Sequence, residues 1–322
     1  MDNKLLTIDV SHGTTHDGPG MRTTVFVKGC PLHCVWCQNP ESIGRDNGVW
    51  WSFRDCIGCL SCVKVCRTNA LSAGDAGIVI DRDLCVNCGD CADVCPSSAM
   101  SLQGREYGLE ELLSDVLRYR HYYNEFGGGV TCSGGEPLLQ SDFITEFFRR
   151  LKKENITTAL DTCGFAPRER IGSVLQFTDY VLYDLKLFDS GMHKKYTGVP
   201  NELILENLLY IADSLRSSGG VKELWIRTPL IPGVTATEEN IRSIGRFIAE
   251  NIPDVLTRWE LCAFNGICAA KYEKMGLKWP FNGQGAMAEE DIAPLRKTAL
   301  EAVPASKLSI TGMIRPGNGK DA

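Results

Sequence analysis

Apolar residues recur with two different periods along the last two-thirds of the chain. In residues 108–123, GLEELLSDVLRYRHYY, they return every three to four positions, which predicts an amphipathic helix. Residues 129–135, GVTCSGG, form a short apolar run that ends in glycines, which is typical of a buried strand. The same alternation predicts further helices at 143–154, 169–176, 206–219, 238–251 and 289–303, and further strands at 23–29, 157–164, 180–188, 222–232 and 258–264.

These strands, most of them followed by a helix, indicate an α/β protein with a parallel sheet and right-handed crossovers. Six strand–helix units are too few for a complete eight-stranded barrel, so we predict a partial (β/α)6 TIM-like barrel. In such folds the active site forms at the carboxyl ends of the strands. Those ends carry Cys30, Gly134, Gly135, Glu136, Asp161, Thr162, Asp184, Lys186, Arg227 and Asn265.

Charge and composition exclude several classes of function. The 322 residues carry a net charge of −6, which opposes an electrostatic grip on nucleic acid. No apolar run approaches the roughly 20 residues that span a bilayer. The N-terminal segment also lacks the basic start and apolar block of a secretory signal. We therefore expect a cytoplasmic protein that binds neither membrane nor nucleic acid.

Fifteen cysteines are the strongest compositional signal. In a reducing cytosol, clustered cysteines bind metal more often than they form disulfides. Eleven of them lie between Cys30 and Cys95. The other four are scattered through apolar segments, where free cysteine packs as a small hydrophobic residue. We predict that role for Cys132, Cys163, Cys262 and Cys268.

Eight of the clustered cysteines form an internal repeat in which each member recurs 29 residues later. The first run is Cys56, Cys59, Cys62 and Cys66, and the second is Cys85, Cys88, Cys91 and Cys95. This C-x2-C-x2-C-x3-C spacing is that of two-cluster bacterial ferredoxins, in which the fourth cysteine of each run binds the other cluster. We therefore assign one [4Fe–4S] cluster to Cys56, Cys59, Cys62 and Cys95, and a second to Cys66, Cys85, Cys88 and Cys91.

A pair of zinc knuckles is the alternative for this repeat, although zinc sites usually separate two CxxC pairs by a longer loop. The proline that commonly ends a ferredoxin run is present as Pro96, whereas Arg67 replaces it in the first run. We predict a ferredoxin-like insert at 50–102, carried by a partial barrel formed from 1–49 and 103–322.

The remaining three clustered cysteines follow the first predicted strand of the barrel. Cys30, Cys34 and Cys37, with Trp36 before the last, have the CxxxCxxC spacing that identifies this loop as resembling the radical S-adenosylmethionine (SAM) superfamily. Three thiols leave one iron of a cluster open, and an open position marks a catalytic rather than a structural site. The resemblance implies a third [4Fe–4S] cluster, on which SAM fills the open position and is cleaved to a 5′-deoxyadenosyl radical.

Five segments resemble one family within that superfamily, the activating enzymes of glycyl radical enzymes. They are HDGPGMRTTVFVKGCPLHCVWCQNPES (16–42), GGGVTCSGGEPLLQ (127–140), LDTCGF (160–165), DLKLFD (184–189) and IRTPLIPGVT (226–235). The resemblance implies abstraction of a glycine hydrogen from a partner enzyme. The ferredoxin-like insert is similar to that of relatives serving dehydratases, decarboxylases and carbon–heteroatom lyases.

The resemblance also implies roles for individual residues. Gly134, Gly135 and Glu136 match the motif beside the methionine amino group of SAM, where glycines allow close approach of the backbone. Lys186 suits the carboxylate of SAM and Asp184 suits the ribose or a cation. Asp161 and Thr162 match a pair near the amino group and a monovalent cation. Arg227 matches an arginine near SAM, and Asn265 stands where many relatives have a histidine.

The leading hypothesis is therefore a monomeric activase that receives electrons from reduced ferredoxin or flavodoxin. Its catalytic residues would be Cys30, Cys34, Cys37 and Lys186, and Trp36 would contribute to cofactor binding. One alternative is a radical SAM enzyme that acts on a small molecule with the same residues. The other is a non-catalytic electron carrier, which leaves residues 134–136 and the pair of Asp184 and Lys186 unexplained.

Overall fold

A mostly parallel sheet forms the centre of the protein. The computed structural model describes residues 4–45, 48–218 and 220–316. The strands in this part of the chain are β1 (Leu5–Thr14), β2 (Arg22–Val27), β3 (Gly48–Trp51), β4 (Leu71–Gly74), β5 (Gly77–Ile80), β6 (Met100–Gln103), β7 (Arg105–Tyr107), β8 (Gly129–Gly134), β9 (Thr157–Thr162), β10 (Tyr180–Asp184), β11 (Glu223–Leu230), β12 (Leu256–Ala263) and β13 (Leu308–Thr311).

Nine of these strands form one sheet in the order β13-β12-β11-β10-β9-β8-β2-β1-β7. From β2 to β13 every neighbouring pair is parallel. From β8 onward each strand also lies next to its successor in the chain. At the other edge β1 runs antiparallel to both β2 and β7. Successive parallel neighbours are the arrangement that repeated strand–helix units produce.

Helices connect the parallel strands. The described helices are α1 (Ser61–Val65), α2 (Asp90–Asp93), α3 (Leu109–Leu117), α4 (Arg120–Phe126), α5 (Ser141–Lys153), α6 (Arg168–Leu175), α7 (Ser190–Thr197), α8 (Glu202–Ser218), α9 (Glu238–Asn251), α10 (Ala269–Lys274) and α11 (Glu289–Leu300). None of the helices in the described residues is both long and apolar enough to cross a membrane.

Apolar residues on one face of each long helix pack against the sheet. In α5 the residues Phe143, Ile144, Phe147, Phe148 and Leu151 are all buried, and their spacing of three and four places them on a single face. The opposite face of the sheet holds a much smaller apolar cluster of Ala159, Leu182 and Trp225.

All six predicted strands exist and are consecutive members of the sheet, as β2 and β8–β12. The predicted α/β fold with a mostly parallel sheet is confirmed. The edge strands β7 and β13 and the strand β1 beside β7 were not predicted, and neither were the short helices α7 and α10. The single helix expected at 108–123 is two helices, α3 and α4, which break at residues 118–119. The helix predicted at 206–219 corresponds to α8. The last residue of the predicted range, Gly219, lies outside the described residues.

Residues 48–103 form two small sheets apart from the central one. β3 pairs with β6, and β4 pairs with β5, both antiparallel. This segment has its own apolar cluster, whose buried members are Val49, Cys62, Leu71, Ile78, Cys91 and Met100. The two cysteine runs therefore have local packing that is separate from the core of the large sheet.

Candidate functional site

The loop that carries Cys30, Cys34 and Cys37 begins just after β2 and is held from two sides by backbone hydrogen bonds. The amides of residues 29–30 donate to carbonyls in the turn at 40–43, at 2.7 and 3.0 Å. The amides of His33 and Val35 donate to carbonyls at 196–197, the end of α7, at 2.7 and 3.1 Å. The loop is therefore fixed by main-chain contacts that do not depend on its side chains.

Helix α10 braces the far end of the same loop. The hydroxyl of Tyr272 donates to the carbonyl of Cys37 at 3.0 Å. The ammonium of Lys271 donates to the Glu41 carboxylate at 2.7 Å, and Glu41 is buried. Neither Tyr272 nor Lys271 belongs to a recognisable motif, so neither contact could be predicted from the sequence.

Trp36, predicted to contribute to cofactor binding, is 5% exposed and belongs to the main apolar core. Its ring lies 6.4 Å from that of Tyr196 in α7. The indole thus anchors the loop to the apolar core, in addition to any contact it makes with a ligand.

The three thiols differ in their surroundings. Burial raises the pKa of Cys34 and that of Cys37 to about 12. A hydrogen bond with the Cys163 thiol lowers the pKa of Cys30. Three thiols on one loop are soft ligands that a bound metal would hold as thiolates. This donor set fits an iron–sulfur cluster.

Cys163 is buried, as predicted for an isolated apolar cysteine. Its contact with Cys30 was not anticipated, because the two residues are far apart in sequence. The end of β9 brings the Cys163 thiol against the cysteine loop.

Gly134 and Gly135 end β8 beside the cysteine loop. The amide of Gly135 donates to the Val27 carbonyl at 2.8 Å, and that of Glu136 donates to the Gly29 carbonyl at 2.7 Å. A Cβ on Gly135 would lie 2.2 Å from the oxygen of Gly29. Gly134 has a φ of +103°, and its Cβ would lie 2.6 Å from the amide nitrogen of Val27. Both glycines are therefore required for the packing of β8 against β2, before any ligand is considered.

The Glu136 side chain is completely buried. Its carboxylate accepts hydrogen bonds from the amide of Leu138 (3.1 Å), the hydroxyl of Thr162 (2.7 Å) and the amide of Cys163 (2.9 Å). Burial raises the pKa of Glu136, and these donors oppose that shift. The carboxylate connects the ends of β8 and β9. The Thr162 hydroxyl predicted to face SAM is thus occupied by Glu136 in this structure.

Charged side chains lie further along the strands on the sheet face that carries the small apolar cluster, which we call the inner face. Two residues beyond Ala159, Leu182 and Trp225 come Asp161, Asp184 and Arg227, so they share that face. Arg227 lies within β11 rather than at its end, where the sequence analysis placed it, because the strand continues to Leu230. The inner face is therefore apolar near one end and charged beside the cysteine loop.

Arg227 is the centre of this charged row. Its Nη1 lies 3.2 Å from Asp161 Oδ2 and 3.8 Å from Asp17 Oδ1, and its Nε lies 3.0 Å from Glu260 Oε2. Burial would lower the pKa of Arg227, but the surrounding carboxylates raise it well above its usual value. Glu260 was not identified from sequence because it lies in an otherwise apolar strand.

Asp161 has one oxygen without a protein partner. Its Oδ2 accepts from the Ser133 hydroxyl at 2.7 Å, whereas its buried Oδ1 has no hydrogen-bond partner among the described residues. Burial raises the pKa of Asp161, Arg227 opposes this shift, and Asp184 and Asp17 add to it. An orphaned carboxylate oxygen at such a position is a ready acceptor for a ligand or a cation.

Lys186 and Asp184 form an ion pair at the end of β10. The Lys186 side chain is 12% exposed. Burial would lower its pKa, but Asp184 and the thiols of Cys34 and Cys163 raise it above the usual value. The lysine therefore stays charged beside the cysteine loop, where it suits an anionic group.

Asn265 lies beside the cysteine loop, because its carbonyl accepts from Gln38 Nε2 at 3.3 Å. Its side-chain oxygen accepts from the amide of Ile267 at 3.2 Å. The predicted position near the site is therefore observed, but half of the side-chain amide is used within its own turn.

The two cysteine runs of the insert enclose two cavities. One is lined by Cys56, Cys59, Cys62 and Cys95, and the other by Cys66, Cys85, Cys88 and Cys91. We name them the first and second cavity. Each thus combines three cysteines of one run with the fourth of the other, which is the crossed arrangement predicted from the spacing.

The two crossing cysteines have equivalent polar neighbours. The Cys66 sulfur lies 3.7 Å from the Thr68 hydroxyl, and the Cys95 sulfur lies 3.7 Å from that of Ser97, which is 29 residues later. Four thiols arranged around a cavity are the ligand set of a [4Fe–4S] cluster.

Comparison with known proteins first defines the class. A model of the radical SAM superfamily matches residues 24–244, more than half of the chain. This range contains the cysteine loop, the charged row and the strands β8–β11. A [4Fe–4S] cluster and SAM are the cofactors that this superfamily implies.

Individual relatives then narrow the class. The trans-4-hydroxy-L-proline dehydratase activating enzyme of Clostridioides difficile is 37% identical over 91% of this chain and 95% of its own. The isethionate sulfite-lyase activating enzyme of Oleidesulfovibrio alaskensis is 37% identical over 95% of this chain and 96% of its own. A solved domain of pyruvate-formate lyase-activating enzyme from Bacteroides vulgatus is 30% identical, covers 57% of this chain and 99% of that domain, and has a TM-score of 0.45. The chain belongs to the radical SAM enzymes that activate glycyl radical enzymes.

Membership confirms the family that the motifs predicted, and it identifies an enzyme. It argues against the non-catalytic electron carrier, because that alternative requires neither SAM nor the charged row.

Proposed function

We propose that this enzyme cleaves SAM at the Cys30–Cys37 loop and abstracts a hydrogen atom from a glycine of a partner polypeptide. The observation that carries the proposal is the placement of three thiols beside the partly buried Lys186–Asp184 ion pair. With the cluster and SAM bound, the site supplies one-electron cleavage of the sulfonium to methionine and a 5′-deoxyadenosyl radical.

The residues of the chain have three tasks in this reaction. Cys30, Cys34 and Cys37 hold the cluster through three thiolates and leave one iron for SAM. Lys186 neutralises the methionine carboxylate, since its ammonium is kept charged by Asp184. Trp36 packs under the loop and keeps it rigid.

A monovalent cation near SAM is supported by the orphaned Oδ1 of Asp161. Asp184 and Asp17 add negative charge around this carboxylate. Arg227 compensates part of that charge, and a cation would satisfy the remaining oxygen. Thr162 lies at the same strand end, but its hydroxyl already bonds Glu136.

Two further [4Fe–4S] clusters fill the first and second cavities in this proposal, giving three clusters per chain. The insert at 50–102 then forms a ferredoxin-like domain, and 1–49 with 103–322 forms the catalytic body. The crossed lining of the two cavities supports this assignment. The terminal residues 1–3 and 317–322 of that body lie outside the described residues.

The partner in this proposal is a glycyl radical enzyme of the dehydratase, decarboxylase or carbon–heteroatom lyase type. Two relatives are named as activators of a dehydratase and a sulfite-lyase, which supports this class. Reduced ferredoxin or flavodoxin supplies the electron, and the enzyme acts as a monomer in the cytoplasm. Fifteen free cysteines support a reducing compartment.

An electron paramagnetic resonance experiment tests the proposal. The reduced enzyme, mixed with SAM and a candidate glycyl radical enzyme, should give a glycyl doublet. The doublet should vanish when the glycine of the partner is replaced by alanine. Cleavage of SAM without a radical on any candidate partner would instead favour an enzyme that acts on a small molecule.

A further inference from the structure

The two cysteine loops of the insert are equivalent by sequence but differ in what they face. Position 82 in the second loop is Arg82, which donates to the carbonyls of Val49 (2.6 Å) and Lys274 (3.0 Å). Lys274 belongs to α10, the helix that also braces Cys37. Its counterpart 29 residues earlier is Phe53, which is 71% exposed. The second loop therefore faces the catalytic body, and the first loop presents an aromatic ring to solvent.

The first loop also exposes apolar residues at the mouth of the first cavity. Ile57 and Leu60 line that cavity and are 67% and 37% exposed. Phe53 packs edge-on against Trp51, which lines the same cavity, with ring centroids 6.0 Å apart. Cys59, which lies between Ile57 and Leu60 in the sequence, is also exposed. A redox partner that covered this face would lie directly against the cluster held in the first cavity.

Leu60 carries a second observation. It has a φ of +58°, a left-handed conformation that costs a leucine roughly 1–2 kcal/mol. The equivalent residue of the second loop is Gly89, with a φ of +88°, which adopts that conformation without a Cβ penalty. A strained, exposed leucine at a position where glycine serves the fold points to a role for its side chain.

Charge distinguishes the two loops as clearly. Residues 53–69 contain three basic residues and one acidic residue, whereas the equivalent 82–98 contain one basic and three acidic. Arg54 and Lys64 replace Asp83 and Asp93 at equivalent positions, and both are exposed. Lys64 follows Leu60 by one helical turn, since its amide donates to the Leu60 carbonyl. Both loops expose apolar residues, since Val86, the counterpart of Ile57, is 66% exposed. Only the apolar face of the first loop is bordered by basic residues at these two positions.

We propose that a small acidic one-electron carrier, ferredoxin or flavodoxin, docks on the face formed by Phe53, Arg54, Ile57, Leu60 and Lys64. The inference rests on the proposed function, in which the insert holds two clusters. On transfer the carrier loses one electron, the protein gains it, and no bond is made or broken. The electron enters at the first cavity, and the second cavity lies on the side of α10 and the catalytic loop. The positive rim selects an acidic partner, and the apolar centre provides the contact.

Binding measured by calorimetry tests this surface. The reconstituted enzyme is titrated separately with oxidised ferredoxin and with oxidised flavodoxin, at low and at physiological salt. The double variant Arg54→Glu/Lys64→Glu should bind its carrier at least about tenfold more weakly at low salt. The matched variant of the second loop, Asp83→Asn/Asp93→Asn, should bind as the natural enzyme does. Equal affinity in the first variant, or an equal loss in the second, would overturn the proposal.

Leu60→Gly separates docking from folding. Glycine relieves the left-handed backbone, so the melting temperature should not fall, while carrier affinity should drop several-fold. Ile57→Ser should weaken binding and its counterpart Val86→Ser should not. If Leu60→Gly lowers the melting temperature and leaves affinity unchanged, the side chain is structural and the proposal fails.

Two controls distinguish the possible failures. SAM cleavage driven by dithionite needs no carrier and should be equal in all these variants. Its absence from the natural enzyme would contradict the proposed function, whereas normal cleavage with unchanged carrier binding would contradict only the docking surface. Affinity for the glycyl radical enzyme should also be unchanged. A loss there, with carrier binding intact, would assign the face to that partner and overturn the inference.

Discussion

The catalytic loop and the insert both present cysteine thiols, yet their surroundings have opposite character. Three thiols of the loop lie beside Lys186 and the charged row of Asp161, Asp184 and Arg227. The insert surrounds the four thiols of the first cavity mainly with apolar residues, such as Trp51, Ile57 and Met100. Charged groups beside an incomplete ligand set bind a substrate, whereas a complete set in an apolar shell stores and passes electrons. The environment of the thiols separates the two roles better than the thiols themselves.

Removing one thiol of the catalytic loop should have the largest effect. Cys34→Ala should lose four of about twelve irons per chain and all detectable SAM cleavage, even with dithionite. Iron analysis and chromatographic detection of 5′-deoxyadenosine measure both. Cys132→Ala, at a buried cysteine far from the thiol sets, is the control and should keep both. Cleavage by the Cys34 variant would place the reaction elsewhere.

Because the proposed ligand sets of the insert are crossed, the iron lost from a double cysteine variant should depend on which two cysteines are replaced. Cys56→Ala/Cys95→Ala removes two ligands of one cavity and should cost about four irons, whereas Cys56→Ala/Cys66→Ala touches both cavities and should cost about eight. Both variants should still cleave SAM with dithionite, since the catalytic loop is intact. The reverse result, with about eight irons lost from the first variant and about four from the second, would mean that each run binds its own cluster.

The catalytic loop depends on the large sheet in a way that the insert does not. Gly135→Ala places a Cβ 2.2 Å from the Gly29 oxygen, so it should lower the free energy of unfolding by about 2–4 kcal/mol and weaken retention of the loop cluster. Gly108→Ala meets nothing within 4 Å and is the control. Chemical denaturation measures the difference. A Gly135 variant as stable as the control would show that β2 and β8 can separate at no cost.

Lys186 tests whether the charged row binds SAM. Lys186→Met keeps most of the apolar stem but removes the ammonium, and we expect SAM to bind about 10–100-fold more weakly. Equilibrium dialysis with the reconstituted enzyme gives the dissociation constant. Lys194→Met, at an exposed lysine of α7, should leave it unchanged. Similar affinities in the two variants would remove Lys186 from the site.

The strands with buried apolar runs could be predicted because their signal lies within a few residues, and these strands are confirmed. The cysteine runs and the glycines of β8 also carry a local signal, and their functional roles stay predictions. Strand β1 was missed because LLTIDVSHGT mixes polar and apolar positions, as an antiparallel strand allows.

Contacts between distant segments could not be predicted in the same way. Cys163 against Cys30 and Tyr272 against Cys37 depend on how β9 and α10 return to the loop. Glu260 could not be identified from the sequence, because its place in the site depends on the contact with Arg227 in the neighbouring strand. The role of Glu136 as a brace between strands was likewise invisible in the motif.

Substitution of Asn265 should have the smallest effect on SAM binding. This residue marks the outer limit of the charged site. Its side-chain oxygen bonds the amide of Ile267, so loss of that bond should cost about 1 kcal/mol and change the affinity for SAM by less than about tenfold. Asn265→His and Asn265→Ala should therefore behave alike at pH 7.5. Only the histidine variant should add a pH dependence near its ordinary pKa of about 6.5. If alanine abolishes SAM binding and histidine restores it, the side chain contacts the nucleoside directly and the site extends to the end of β12.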